Sequence, residues 1–386
     1  MNYLNPIFAI ITFLLACLTS YFIIRNGKTE VEVRKYEMID GLRGFLAIGV
    51  FIHHSSIWYA YIHTNEWEAP DSNFYNQAGQ TSVAFFFMIT SFLFVSKMIK
   101  SNTDFNWKNF FISRVMRLIP MYYFSLIIII VTILFLSNWK ITVSTFDFSL
   151  SIFRWLLFGI AGESRINNEE YTSLINAGVL WTLSFEWLFY VSMPLFGFVI
   201  LKKKPALLYI IIAVIFSTLI ICKLSISQMH HLYSFALGAI AAFILKYTNA
   251  SKYAGLIWIT FLMIICIILI GQFKTIESIV CKICIAIVFT CVAAGNSIFG
   301  MLKSSTIKLL GDISYSTYLL HGIFLFYVFH FGNDVEGVKN LSPIEFWIII
   351  FLITPILVFT SFLTFKYIEK PALEFSKRKL KNKTIQ

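Results

Sequence analysis

Charge is what this chain has least of. Only 13% of its residues are Asp, Glu, Lys or Arg, and 58% are hydrophobic. That charged share is about half of what a soluble domain carries. With a mean hydropathy of +0.76, the chain holds more apolar surface than a water-soluble fold could hide. Polar stretches are few, the longest running only some dozens of residues, so no separate soluble domain is expected. The strand-length alternation of an outer-membrane barrel is missing, whereas the apolar runs are helix-length. Cysteines number six, at Cys17, Cys222, Cys266, Cys281, Cys284 and Cys291. Cys281 and Cys284 make a CxxC, but no second pair or histidine stands near enough to complete a metal site, so all six read as small membrane-helix residues. There is no convincing internal repeat, which weighs against a transporter built from repeats. The net charge of +11 comes from basic residues placed between apolar runs, a pattern of membrane topology rather than of nucleic-acid binding.

What is present is a series of apolar helices. No Lys or Arg precedes the first run, 4–24, while Arg25, Lys28, Arg34 and Lys35 follow it. A signal peptide has the opposite flanks, so this run reads as a retained anchor with its N-terminus outside. Further spans are expected at 42–62, 79–99, 118–138, 179–201, 206–224, 228–247, 253–271, 276–299, 309–329 and 344–368. Residues 149–163 read as an interfacial or re-entrant helix. If they crossed, Lys202, Lys203 and Lys204 would lie outside, against the positive-inside rule. The expected fold is therefore an all-α polytopic membrane protein of eleven helices, N-out and C-in. Of the 31 Lys and Arg, this topology leaves outside only Lys140, Arg154, Arg165, Lys223, Lys274, Lys282 and Lys339.

The stretch that organises the rest is Asp40 to His54, DGLRGFLAIGVFIHH. At about 100° per residue, Arg43 and His54 point in nearly the same direction, roughly 16 Å apart along the helix. Arg43 then sits near one membrane surface and His54 near mid-membrane. An imidazole at that depth is costly unless it faces a polar cavity, which marks it as a functional-site residue; the competing reading is a packing histidine bonded to a neighbouring helix. His53 lies about 80° off that face and reads as a packing or supporting partner.

Glu186, in LWTLSFEWLFY, and His321, in DISYSTYLLH, fall at similar depth in their own spans. A carboxylate beside a histidine would orient the ring and help make a base able to take a proton from a hydroxyl; the alternative is a structural His–Glu bond between two helices. Arg114 and Arg117, spaced i, i+3, share one side of a helix at the cytoplasmic mouth of its span. Arginine pairs suit phosphate, although an ordinary positive-inside anchor has the same appearance. Asp40, three residues before Arg43, is placed to hold that guanidinium.

In this order the motifs resemble the acyltransferase-3 family of integral-membrane acyltransferases. DGLRG followed by His54 is similar to the family's arginine, ten residues, histidine motif. RVMRLIPMYY is similar to its RxxR segment, and LWTLSFEWLFYVSMPL to its tryptophan–serine–leucine and glutamate stretch. LYSFALGAIAAF, GDISYSTYLLH and KYIEKPALEFS resemble the later segments, so the likeness runs from about Tyr36 to Leu373. Thr182 stands where the family has serine, and Trp187 replaces a common polar residue after the glutamate. The SGNH-type domain of some relatives is not expected here.

The resemblance implies a ten-helix core over residues 36–373, preceded by an extra anchor helix and basic linker (1–35) and followed by a basic cytoplasmic tail (374–386). It implies transfer of an acyl group, most often acetyl, from cytoplasmic acyl-CoA to a hydroxyl of a surface polysaccharide such as O-antigen or capsule, in a bacterial inner membrane. His54 and Glu186 would be catalytic, and Arg43, Arg114 and Arg117 would bind acyl-CoA. Asp40, His53, Ser184, Tyr190 and His321 would support them. No metal, no permanently bound cofactor and no nucleic-acid partner are expected; acetyl-CoA enters as donor substrate. The rival class is a proton-coupled transporter or flippase for a glycan or acyl carrier.

Overall fold

Apolar runs with no water to satisfy their backbone must close their hydrogen bonds internally, and helices do so within one segment. The computed structural model follows that rule, describing residues 2–27, 36–101, 105–160, 164–202, 204–221, 231–332 and 338–381, among which there is no strand. The linker residues Lys28, Arg34 and Lys35, together with Lys203, Cys222, Lys223 and the last five residues of the tail, lie outside the described residues.

In chain order the helices are α1 (Pro6–Arg25), α2 (Glu37–Thr64), α3 (Asn73–Ser101), α4 (Trp107–Leu136), α5 (Thr145–Leu156), α6 (Trp181–Ile200) and α7 (Leu207–Ile221). They continue with α8 (Leu232–Tyr247), α9 (Ile257–Ile270), α10 (Ile279–Ala294), α11 (Ser305–Asp312), α12 (Ser314–Gly332), α13 (Pro343–Thr364) and α14 (Lys370–Lys381). A π-helical turn, Phe365–Glu369, joins α13 to α14. Among the described residues, six helical stretches are long and apolar enough to cross a bilayer, and α8, α9 and α10 are shorter apolar helices. Each of the eleven expected spans contains a helix. Span 309–329 is a correction: α11 ends at Asp312 and α12 starts at Ser314, with Ile313 between them. Segment 149–163 begins within α5, whose 12 residues are about 18 Å long, too short for a ~30 Å hydrocarbon core; its residues 161–163 lie outside the described residues.

The chain divides into two units. Unit 1 comprises Met1–Leu93 and Tyr233–Phe362. Its α1 starts with Asn5 capping the N–H of Ile7 and Pro6 in the first turn, where a missing N–H costs nothing. The Ser20 hydroxyl donates to the Thr306 carbonyl at 2.9 Å, and Phe8 stacks on Trp347 at 5.2 Å, so the extra N-terminal helix is built into this unit. Buried Asn296 donates to the Ala254 carbonyl and to Thr260 Oγ1 and accepts from the Ile298 N–H, which locks the turn after α10.

Unit 2 comprises Phe94–Leu232 and Leu363–Gln386. Pro120 and Pro194 interrupt the hydrogen-bond ladders of α4 and α6. The backbone between α5 and α6 is irregular, and side chains satisfy it. Tyr122 and Tyr123 of α4 donate to the carbonyls of Trp155 and Leu156 at the end of α5. Asn167 accepts from the Thr142 N–H and donates to Ser137 and the Lys140 carbonyl. Ser184 donates to the Phe158 carbonyl at 3.0 Å.

Candidate active site

The first turns of α2 are set by close backbone approach. A Cβ on Gly41 or Gly44 would run into the carbonyls of Leu302 and Ile307, and one on Gly311 into the carbonyl of Asp40. Two of the five residues in DGLRG are therefore spacers, Gly41 against the turn at Met301–Lys303 and Gly44 against α11. Asp40 and Arg43 form the expected i, i+3 pair at 4.0 Å.

Deeper along α2, its two imidazoles His53 and His54 meet a third, His321 of α12. His54 Nδ1 is 3.1 Å from His321 Nε2 of α12 and 3.0 Å from the Val50 carbonyl. His321 Nδ1 is 3.2 Å from the Thr317 carbonyl, and His53 Nδ1 is 2.9 Å from the Tyr75 carbonyl. Carbonyl oxygens only accept, so the hydrogen-bond network assigns each neutral ring a proton on Nδ1. His321 Nε2 then accepts from His54 Nδ1–H, and the lone pair of His54 is left on Nε2. That is the form in which an imidazole can take a proton from an alcohol. His321 is fully buried, whereas His53 and His54 are half-buried. His53 fits beside His54, ring centroids 5.1 Å apart, because Gly79 of α3 has no side chain to collide with its ring.

Sequence reasoning missed the aromatic cover of this cluster. Trp67, in the loop after α2, lies over His54 at 6.4 Å with ring planes 18° apart. Trp58 and Tyr61 meet its edges at 5.5 and 5.7 Å. The one available signal was Trp58, four residues beyond His54 and so on the same helix face.

The arginine cluster belongs to unit 2. Arg114 lies 4.6 Å over the Phe94 ring and 5.9 Å over that of Tyr190, and its guanidinium donates to Ser113 Oγ. Glu186 is charged company for Tyr190 in the same unit. Arg117 pairs at 3.5 Å with Glu369, whose side chain is fully buried in the π-helical turn. Within unit 1, His54 takes its orientation from His321 and Val50; Glu186, read from sequence as an orienting group, belongs to unit 2. Arg43 stands in unit 1, apart in sequence and in unit from the RxxR pair. No metal-binding group of three or more His, Cys, Asp or Glu occurs among the described residues.

Comparison with curated proteins and with solved structures returns no match. Comparison with protein families matches residues 36–365 to the one described as an acyltransferase domain. That span leaves out the first helix and everything after Phe365, and it contains the motifs discussed above apart from KYIEKPALEFS, which begins at Lys366. The chain belongs to the acyltransferase-3 family and is a multi-pass membrane acyltransferase.

Proposed function

We propose that this acyltransferase is an O-acetyltransferase that moves an acetyl group from cytoplasmic acetyl-CoA to a hydroxyl of a cell-surface polysaccharide, such as O-antigen or capsule. In this reading it sits in a bacterial inner membrane with its N-terminus outside and its C-terminus in the cytoplasm. His54 is the general base. Its Nε2 takes the proton of the acceptor hydroxyl as that oxygen attacks the thioester carbonyl. The C–S bond breaks, and the leaving thiolate takes the proton back from the imidazolium, yielding ester, coenzyme A and neutral histidine. Arg114, Arg117 and Arg43 serve the donor's phosphates, a task suited to planar guanidiniums. Glu186 tunes the arginine cluster through Tyr190. The observation carrying this proposal is the bonding of His54, whose Nδ1 is engaged by His321 and Val50 while Nε2 keeps its lone pair.

The test uses the full chain in lipid nanodiscs with radiolabelled acetyl-CoA and polysaccharide extracted from cells deleted for the gene. Label should enter the polysaccharide as free coenzyme A is released, and His54→Ala should stop both at unchanged membrane abundance. Near-normal labelling by that variant removes His54 from the chemistry. Passage of the glycan across the membrane without coenzyme A release identifies a transporter instead.

A further inference from the structure

Resting on the reading above, we infer that Trp67 and Trp58 form the subsite for the sugar ring that carries the accepting hydroxyl. Trp58 follows His54 by four residues, about 6 Å further along the same face of α2. Trp67 lies three residues beyond the end of α2, and the loop folds back to lay its indole almost parallel to the His54 ring. Edge-on contacts from Trp58 (81°) and Tyr61 (76°) hold the indole in that attitude, an arrangement aromatic quadrupoles favour. Further in, Trp58 rests against Phe326 and Phe329 of α12, so the platform has a packed backing.

A second observation is independent of the rings. Trp58 is 1% exposed, and its indole N–H has no hydrogen-bond acceptor. A buried indole N–H normally finds a partner, and leaving one without costs free energy. A donor held without an acceptor one turn from the base is accounted for by an acceptor that arrives with the substrate.

The chemistry selects a saccharide. A flat aromatic face takes the apolar C–H side of a pyranose, and a single buried N–H takes one ring or hydroxyl oxygen. Glu66 and Glu68 flank Trp67 and are exposed, a setting that disfavours the polyanionic donor and leaves a neutral sugar unopposed.

The experiment reads two rates for each variant in nanodiscs: label entering the extracted polysaccharide, and free coenzyme A released by hydrolysis with no polysaccharide added. Trp67→Ala and Trp58→Phe should each lower the ratio of transfer to hydrolysis by about tenfold, equal to ~1.4 kcal/mol of lost acceptor binding. Trp67→Tyr, which keeps a face, should stay closer to wild type. A ratio within twofold of wild type for both Trp67→Ala and Trp58→Phe, while His54→Ala abolishes transfer, overturns the subsite and leaves the proposed function standing. Trp67→Ala gaining use of butyryl-CoA at an unchanged ratio also overturns it, by assigning the platform to the acyl chain. If the wild-type chain transfers nothing to the polysaccharide, the parent reading and this inference fall together.

Discussion

The histidine cluster of unit 1 and the arginine cluster of unit 2 are built on opposite electrostatic plans. In unit 1 the Nδ1 atom of each of three imidazoles meets a backbone carbonyl, and His54 and His321 are also bonded to each other. In unit 2 the guanidiniums are held by formal charge and aromatic faces: Arg117 by Glu369, Arg114 by Phe94 and Tyr190. Neutral carbonyls fix a tautomer without adding charge, which is what a group that must gain and lose a proton requires. Fixed charges held by counter-ions and rings suit recognition of a permanent anion.

Variants can break that contrast. The largest effect is expected for His54→Ala, a loss of about 10³-fold in kcat, read as label transferred per enzyme. Next comes Arg117→Ala, which strips a cation from a buried carboxylate. It should cost about 3 kcal/mol of stability, seen as a lower Tm in detergent, and Arg117→Ala combined with Glu369→Gln should recover much of it. A variant with unchanged Tm would make Arg117 a pure ligand residue. His321→Ala frees the His54 ring to turn and should lower kcat about a hundredfold with KM for acetyl-CoA little changed, a split that steady-state kinetics resolves. Arg114→Ala should do the reverse, raising KM for acetyl-CoA about tenfold at similar kcat. If His321 moved KM and Arg114 moved kcat, the contrast drawn between the two clusters would be inverted.

These clusters were legible in the sequence to different degrees. Run length gave eleven apolar segments because backbone satisfaction in lipid leaves little choice of structure. It missed the break at Ile313, which lies beside the close approach of Gly311 to Asp40, a contact that no hydropathy window contains. Counting residues from the helix ends placed His54, His321 and Glu186 at one depth. Depth fixes one coordinate only, and every helix has residues at that level, so counting alone could not show that His54 and His321 are bonded. Trp67 stood in a polar loop with no periodicity to tie it to His54, and only the folded loop brings the two rings together. The pairing of Arg117 with Glu369 was not legible because the counter-ion lies 252 positions later in the chain.

The two phenols of α4 have a consequence for how this chain can stop and turn. Carbonyls at a helix end ordinarily call for water, which ties short helices to an aqueous surface. Tyr122 and Tyr123 supply hydroxyls to Trp155 and Leu156 from within the protein, so α5 carries its own substitute for solvent. Replacing both by phenylalanine would leave those oxygens thirsty and push the end of α5 toward the nearest water.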